Sequence, residues 1–220
     1  MKRRLLLTAA GSAIALGAGW MLTRPTNVTD PLFGAALAQD AVIDTSTIQD
    51  MVQGSADAPI TIIEYASYTC PHCAAFHSDQ YPQLKANYID TGKVRFIYRE
   101  VYFDRFGLWA SMVARCAGEM RFFGVTEVLY AQQQEWAASG DPAVIADALR
   151  TIGKTAGLDD AMLDACMADA TMAQTLVAWF EENAERDDVT STPTFIIDGE
   201  KYSNMSYTAL AEILDAKLAD

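Results

Sequence analysis

An apolar run, Ile60-Thr-Ile-Ile-Glu-Tyr65, leads into Cys70-Pro-His-Cys73, and from Pro71 onward Cys73, Phe76, His77, Gln80 and Tyr81 follow helical spacing. A β-branched run bounded by Pro59 reads as a buried central strand. A strand that delivers two cysteines to the start of a helix confines the chain to α/β arrangements. The thiolate is the reactive form of cysteine, and a helix N-terminus lowers its pKa because free backbone N–H groups and the helix dipole favour negative charge. Cys70 falls at that N-terminus, with Pro71 at the first helical position, where a missing N–H costs nothing. Cys73 lies one turn further in and is expected to be less exposed. The pair reads as a redox dithiol with one attacking and one resolving sulfur.

Pro82 is expected to break or kink this helix, while Leu84, Tyr88 and Ile89 carry its apolar stripe on to Thr91-Gly92. Lys93–Val101 then reads as a second strand, parallel to the first through a right-handed crossover. Residues 104–187 contain no strand-like run. They are predicted as four or five helices near 106–118, 121–137, 142–153, 159–168 and 171–187, broken at Gly118, Gly140-Asp-Pro142 and Gly153 to Gly157. Strand chemistry resumes at Thr194-Phe-Ile-Ile197. Asp198-Gly199 is a hairpin turn, Lys201-Tyr-Ser203 a short edge strand, and Ser206 a cap for a final helix through Leu218. On the N-terminal side, Gly54-Ser-Ala-Asp-Ala-Pro59 is turn chemistry. Residues 24–50 read as a flexible or loosely docked linker with a short element near Thr47–Met51.

A chain of 220 residues can bury a real core without disulfides. Its net charge of −13 argues against nucleic acid as a partner. The N-terminus departs from that balance. Met1-Lys-Arg-Arg4 precedes 18 uncharged residues, Leu5 to Leu22, the pattern of a secretory signal or an N-terminal membrane anchor. Ala36-Leu-Ala38 offers a small-x-small cleavage site, and Arg3-Arg4 hints at a twin-arginine signal. Residues 1–38 are therefore assigned to a signal peptide or anchor plus linker, and 39–220 to the folded domain. Losing 1–38 would remove four of the 16 Lys/Arg and one of the 29 Asp/Glu, leaving −16. An exported acidic body suits an oxidising compartment, where disulfides persist.

The element order, with Cys70-Pro-His-Cys73 after the first central strand and Ser191-Thr-Pro-Thr194 before the hairpin, resembles the thioredoxin superfamily. More closely it resembles the DsbA-type thiol:disulfide oxidoreductases of bacterial cell envelopes, over roughly residues 54–220. The resemblance implies an α/β thioredoxin fold, a central mixed sheet flanked by helices at about 54–103 and 188–220, with an all-helical insertion at about 104–187. It also implies that Pro193 is cis and lies beside the dithiol, presenting the backbone of Thr192 to an extended substrate strand. Cys70, Pro71, His72 and Cys73 would be the redox centre, with His72 favouring the Cys70 thiolate and so making the disulfide a strong oxidant. Glu64 would be a buried carboxyl that moves protons to and from Cys73 through water. On a half-exposed strand it would simply be solvated.

The activity so implied is oxidation of unfolded or reduced exported proteins by a periplasmic monomer, soluble or tethered by its N-terminal segment. It needs no cofactor and is reoxidised by a membrane quinone-linked partner. An isomerase or reductase on the same fold is the alternative, kept open by Thr192. A non-enzymatic folding chaperone or metal chaperone would carry the dithiol as a vestige.

Cys70, His72, Cys73 and His77 have the composition of a zinc set. However, the helix start points their side chains apart and no second ligand cluster exists, so no metal is expected. Haem attachment would need histidine where Ala74 stands. His77 is read as a packing or surface residue. Cys116 and Cys166, on the first and fourth predicted helices of the insertion, are expected to form a structural disulfide. The alternative is two buried free thiols.

Overall fold

The computed structural model describes residues 43–219, so the segment assigned to a signal or anchor lies outside the described residues. Among the described residues no helix is long and apolar enough to cross a membrane. Five strands form one mixed sheet: β1 (Met51–Gln53), β2 (Ile60–Ala66), β3 (Val94–Glu100), β4 (Thr194–Ile197) and β5 (Glu200–Ser203), in the order β1-β3-β2-β4-β5. The β-branched run at residue 60 is the middle strand, parallel to β3 and antiparallel to β4, with Glu64 opposite Tyr98 on one side and Phe195 on the other. Ile60, Ile62, Glu64 and Ala66 share a face and are all buried.

Between β2 and β3 lie α1 (Pro71–Asp79), α2 (Tyr81–Leu84) and a π-helical turn, Lys85–Ile89. The break falls at Gln80, two residues before Pro82, whose ring and missing N–H prevent α1 from running on. The insertion between β3 and β4 consists of α3 (Arg105–Cys116), α4 (Glu119–Ala131), α5 (Gln133–Trp136), α6 (Pro142–Thr155), α7 (Asp160–Met167) and α8 (Ala170–Arg186), and α9 (Tyr207–Ala219) closes the chain. The expected helix over 121–137 is divided at Gln132. Aspartates at 104, 141, 159 and 169 cap α3, α6, α7 and α8, each accepting a backbone N–H of the first turn. The hairpin turn at Asp198-Gly199 has both residues at positive φ, 47° and 85°.

β1 was not among the strands expected. Three residues are too few to show a period, and Met51–Gln53 is extended because it pairs antiparallel with the outer edge of β3. Gly54 ends it at φ 96°, where any Cβ would overlap the carbonyl oxygen of Val94. The residues before β1 are docked rather than loose. Arg99 donates to both carboxylate oxygens of Asp50 at 2.8 and 2.9 Å, Arg115 donates to the Gln49 carbonyl at 3.1 Å, and Thr45 donates to Glu182 at 2.8 Å.

Two cross-links tie the insertion together and to the sheet. Cys116 on α3 and Cys166 on α7 are bonded, with Cα atoms 6.3 Å apart, inside the range a disulfide can span without moving the backbone. The neighbouring Arg115 grips Glu100, the last residue of β3, at 2.6 and 2.7 Å, and both side chains are buried. The main core lies between one face of the sheet and α1, α3 and α4, with Phe76, Phe96, Tyr98, Phe122 and Phe195 among its largest members.

Candidate active site

β2 ends at Ala66, and the four residues that follow are held from the helical insertion. Thr69 donates to Asp104 at 2.8 Å, and the same carboxylate caps α3 by accepting from the backbone of Phe106 and Gly107. Gln133, buried at the start of α5, donates to the carbonyls of Tyr68 and Cys70 at 2.8 and 3.0 Å. Neither contact was legible in the sequence, because Asp104 and Gln133 stand 35 and 63 residues from their partners.

Cys70 is the N-cap of α1, with φ −84° and ψ 119° and no side-chain cap of its own, and Pro71 follows in the first turn. The Ala74 N–H donates to the Cys70 carbonyl at 3.1 Å, the first bond of the helix. Cys70 is 7% exposed and Cys73 is fully buried. Pro71 and His72 are exposed. The peptide between Thr192 and Pro193 is cis, and the Cys70 thiol lies 3.6 Å from the Thr192 carbonyl oxygen. The fold thus brings residues 70–73 and 192–193 together from chain segments about 120 residues apart. Pro193 is buried and Thr192 half-buried.

The environment separates the two sulfurs. The thiol of Cys73 hydrogen-bonds to the Cys70 sulfur, and this is the largest cause that brings the Cys70 thiol down to about 5; burial opposes it, and contacts from Thr192 and the backbone N–H groups of Cys73 and His72 assist. Cys73 is pushed strongly upward, first by burial, then by its bond to Cys70 and the negative charge of Glu64. The His72 backbone N–H is among the groups that favour the Cys70 thiolate, and the residue itself is exposed.

Glu64 is fully buried, so the reading of a solvated side chain on a half-exposed strand is excluded. Glu64 shares the buried face of Ile60, Ile62 and Ala66, whereas Thr61 and Ile63 on the other face are half-buried. Which face the helices cover is set by the fold, not by the alternation in the sequence. One carboxylate oxygen, Oε2, is 2.9 Å from Nε2 of His77. The other, Oε1, has no hydrogen-bond partner among the described residues. His77, expected at a packing or surface position, is packed: it lies under the Tyr130 ring at 4.3 Å and beside Tyr81 at 4.7 Å. What the sequence reading missed is that its polar edge is aimed at Glu64. The signal available was spacing, since His77 is four residues after Cys73 and so on the same face of α1.

The sequence profile described as thioredoxin matches residues 46–216. The chain belongs to the thioredoxin family. Within that family its likeness is to DsbA-type proteins. The crystal structure of Wolbachia pipientis alpha-DsbA1 superposes with a TM-score of 0.70 at 26% identity, covering 76% of this chain and 90% of that one. Disulfide bond formation protein D of Bacillus subtilis is 27% identical over 194 residues, 81% of this chain and 82% of that protein. A putative protein-disulfide oxidoreductase of Rickettsia bellii is 32% identical over 172 residues. That match covers 78% of this chain but 65% of the rickettsial protein, so the chain spans less than two thirds of its length. The thioredoxin-family element order seen here, β-α-β then helices then β-β-α, matches the expectation from sequence, with β1 added in front.

The Cys70 environment sets a pH dependence. In the unfolded reduced chain a cysteine ionises near ~8.5, whereas in the folded reduced protein Cys70 ionises at about 5. The folded reduced form accordingly gains stability from the thiolate that is complete above the unfolded value and lost as pH falls through 5. The oxidised form has no such thiolate. Absorbance at 240 nm of the reduced protein is expected to show one thiolate with a midpoint near 5. A midpoint at the ordinary cysteine value would show that the Cys73 thiol does not hold it.

Proposed function

We propose that this protein is an exported, DsbA-type thiol:disulfide oxidoreductase that oxidises pairs of cysteines in newly translocated proteins. The observation that carries this reading is the inequality of the two sulfurs: Cys70 caps the helix beside the Thr192 carbonyl while Cys73 is fully buried. That arrangement lowers the pKa of the first and raises that of the second. In the oxidised protein a substrate thiolate attacks Cys70 Sγ. The Cys70–Cys73 bond breaks, a mixed disulfide forms on Cys70, and the electron pair left on Cys73 takes up a proton. The second substrate thiolate then attacks its partner sulfur and Cys70 departs as a thiolate. Per turnover the substrate loses two protons and two electrons; one proton ends on Cys73 and the other goes to solvent. A leaving thiolate with a low pKa favours each displacement that releases Cys70, and stabilising the reduced form makes the disulfide oxidising.

The half-buried Thr192 and cis-Pro193 supply the substrate platform in this reading, with backbone pairing that is indifferent to substrate sequence. His72, exposed at the rim, would meet the incoming substrate. A membrane quinone-linked oxidase would regenerate the disulfide, and the apolar segment before residue 23 would direct the domain to the periplasm.

Equilibration of the Cys70/Cys73 pair with glutathione tests the direction. A reduction potential close to the strongly oxidising end of the family, about −120 mV, is expected; one close to about −270 mV, the value of a reducing thioredoxin, would assign the protein to the reductase reading instead.

A further inference from the structure

The reaction leaves a problem inside the protein. When the Cys70–Cys73 bond opens, charge develops on a fully buried sulfur, and in the proposed reaction the side on which Cys70 faces Thr192 would be covered by the substrate. The proton for Cys73 must then arrive from elsewhere. A cavity of about 240 Å³ lies on another part of the surface, between α1, α2 and α4. It is lined by His77, Tyr81, Lys85, Phe123, Glu127 and Tyr130, and by no residue of the Cys70-to-Cys73 or Thr192–Pro193 segments. Ser78 and Glu127 at its rim are exposed.

We propose that His77 is the proton-relay residue of this site, passing protons between this cavity and the Glu64 carboxyl, which in turn serves Cys73. Resting on the redox assignment above, the proposal deepens it by naming the route its proton takes.

Three observations support it. The imidazole lines the cavity and places Nε2 at 2.9 Å from Glu64 Oε2, so one side chain spans from the cavity to the buried acid. The second oxygen of Glu64 is buried without a hydrogen-bond partner among the described residues, and the Glu64 charge acts on Cys73. The groups that face His77 do not divert the proton. These are Tyr98 from β3, Tyr81 from α2 and Tyr130 from α4, all kept protonated because burial raises their pKa values. Lys85 and Glu127 are the charged residues that line the cavity with it.

Proton balance is direct. As the Cys73 sulfur leaves, a proton reaches it by way of the Glu64 carboxyl, one follows from His77 behind it, and solvent in the cavity restores His77, so the protein takes up one proton in all. Reoxidation runs the same transfers backwards.

The test is the rate at which dithiothreitol opens the disulfide of the oxidised full-length protein, by rapid quench with thiol alkylation, from pH 4.5 to 8. Taking general acid–base catalysis as typically worth 10²–10⁴, we expect His77→Gln to slow opening by about tenfold or more and to flatten the pH dependence of the rate relative to the parent. Glutamine keeps a hydrogen bond to Glu64 but cannot relay a proton, so a folded, slow variant separates relay from packing. Glu64→Gln should be slow as well, and the double variant no slower than Glu64→Gln alone. A His77→Gln protein with the parent's rate and pH profile, or losses that multiply in the double variant, would overturn the relay. Dithiothreitol opens the disulfide whatever the protein's natural direction. A thioredoxin-like potential together with a slow His77→Gln protein would therefore remove the oxidase reading and leave the relay standing.

Discussion

Replacing Cys70 by alanine is expected to reduce oxidation of a dithiol peptide to the uncatalysed rate, whereas Cys73→Ala is expected to trap a peptide whose cysteine is supplied as an activated disulfide. The difference follows from the places of the two sulfurs. Cys70 caps α1, touches the Thr192 carbonyl and is the sulfur a substrate can reach. Cys73 is sealed beneath it. Without Cys70 no mixed disulfide can form. Without Cys73 there is no internal disulfide to transfer, but the slightly exposed Cys70 sulfur can still displace the leaving thiolate of an activated peptide disulfide and hold the peptide as a stable mixed disulfide. The alanine at 73 also removes the largest cause of the low Cys70 pKa, so the 240 nm midpoint moves up from about 5. Intact-mass measurement of the Cys73→Ala adduct and turnover of Cys70→Ala are the checks. Turnover above background in Cys70→Ala, or an adduct carried on Cys73 of that variant, would contradict the assignment of roles.

The largest effect on stability is expected at Arg115. Its guanidinium lies against Glu100 through two charge-assisted bonds at 2.6 and 2.7 Å, both side chains are nearly inaccessible, and it also holds the Gln49 carbonyl ahead of β1. Arg115→Met keeps most of the apolar bulk but leaves the Glu100 carboxylate buried without its counter-charge, which costs about 3–5 kcal/mol. That is a large share of the roughly 5–15 kcal/mol of a typical domain. Urea unfolding should show the loss, and adding Glu100→Gln to Arg115→Met should recover more than half of it by removing the stranded charge. A loss below about 1 kcal/mol, the usual worth of an exposed pair, would mean that water reaches the site. A double variant no more stable than the single would place the loss in packing instead. The disulfide one residue away gives a scale for comparison: closing a loop with a sequence separation of 50 is worth about 4 kcal/mol in the chain-entropy account.

Much of this arrangement is carried by local chemistry and is legible without coordinates. The β-branched run at Ile60 declares a buried strand, Pro71 marks the first turn of the helix after Cys70, and Asp198-Gly199 fixes a two-residue hairpin. The breaks at Gly118, Gly140 and Gly157 divide the insertion nearly where the helices end. These signals act over a few residues, and backbone sterics and capping decide them. β1 escaped because an edge strand of three residues has no pattern of its own and exists through its pairing with β3. Gln133 and Asp104 escaped because a side chain that holds a distant carbonyl or hydroxyl leaves no trace in spacing.

The sequence by itself determined the order of elements from β2 onward, the position of the dithiol at a helix start and, with Thr192-Pro193, the family to which the chain belongs. Tertiary structure alone decided what surrounds the sulfurs. Placing β2 between β3 and β4 buries Glu64, and the packing of α4 over α1 closes His77 beneath Tyr130 and points it at that carboxylate. The physical reason is one of range. Helix and turn propensities are set by neighbours in the chain, whereas burial, and with it the cost of a charge on Cys73 or Glu64, is set by whatever the fold brings alongside.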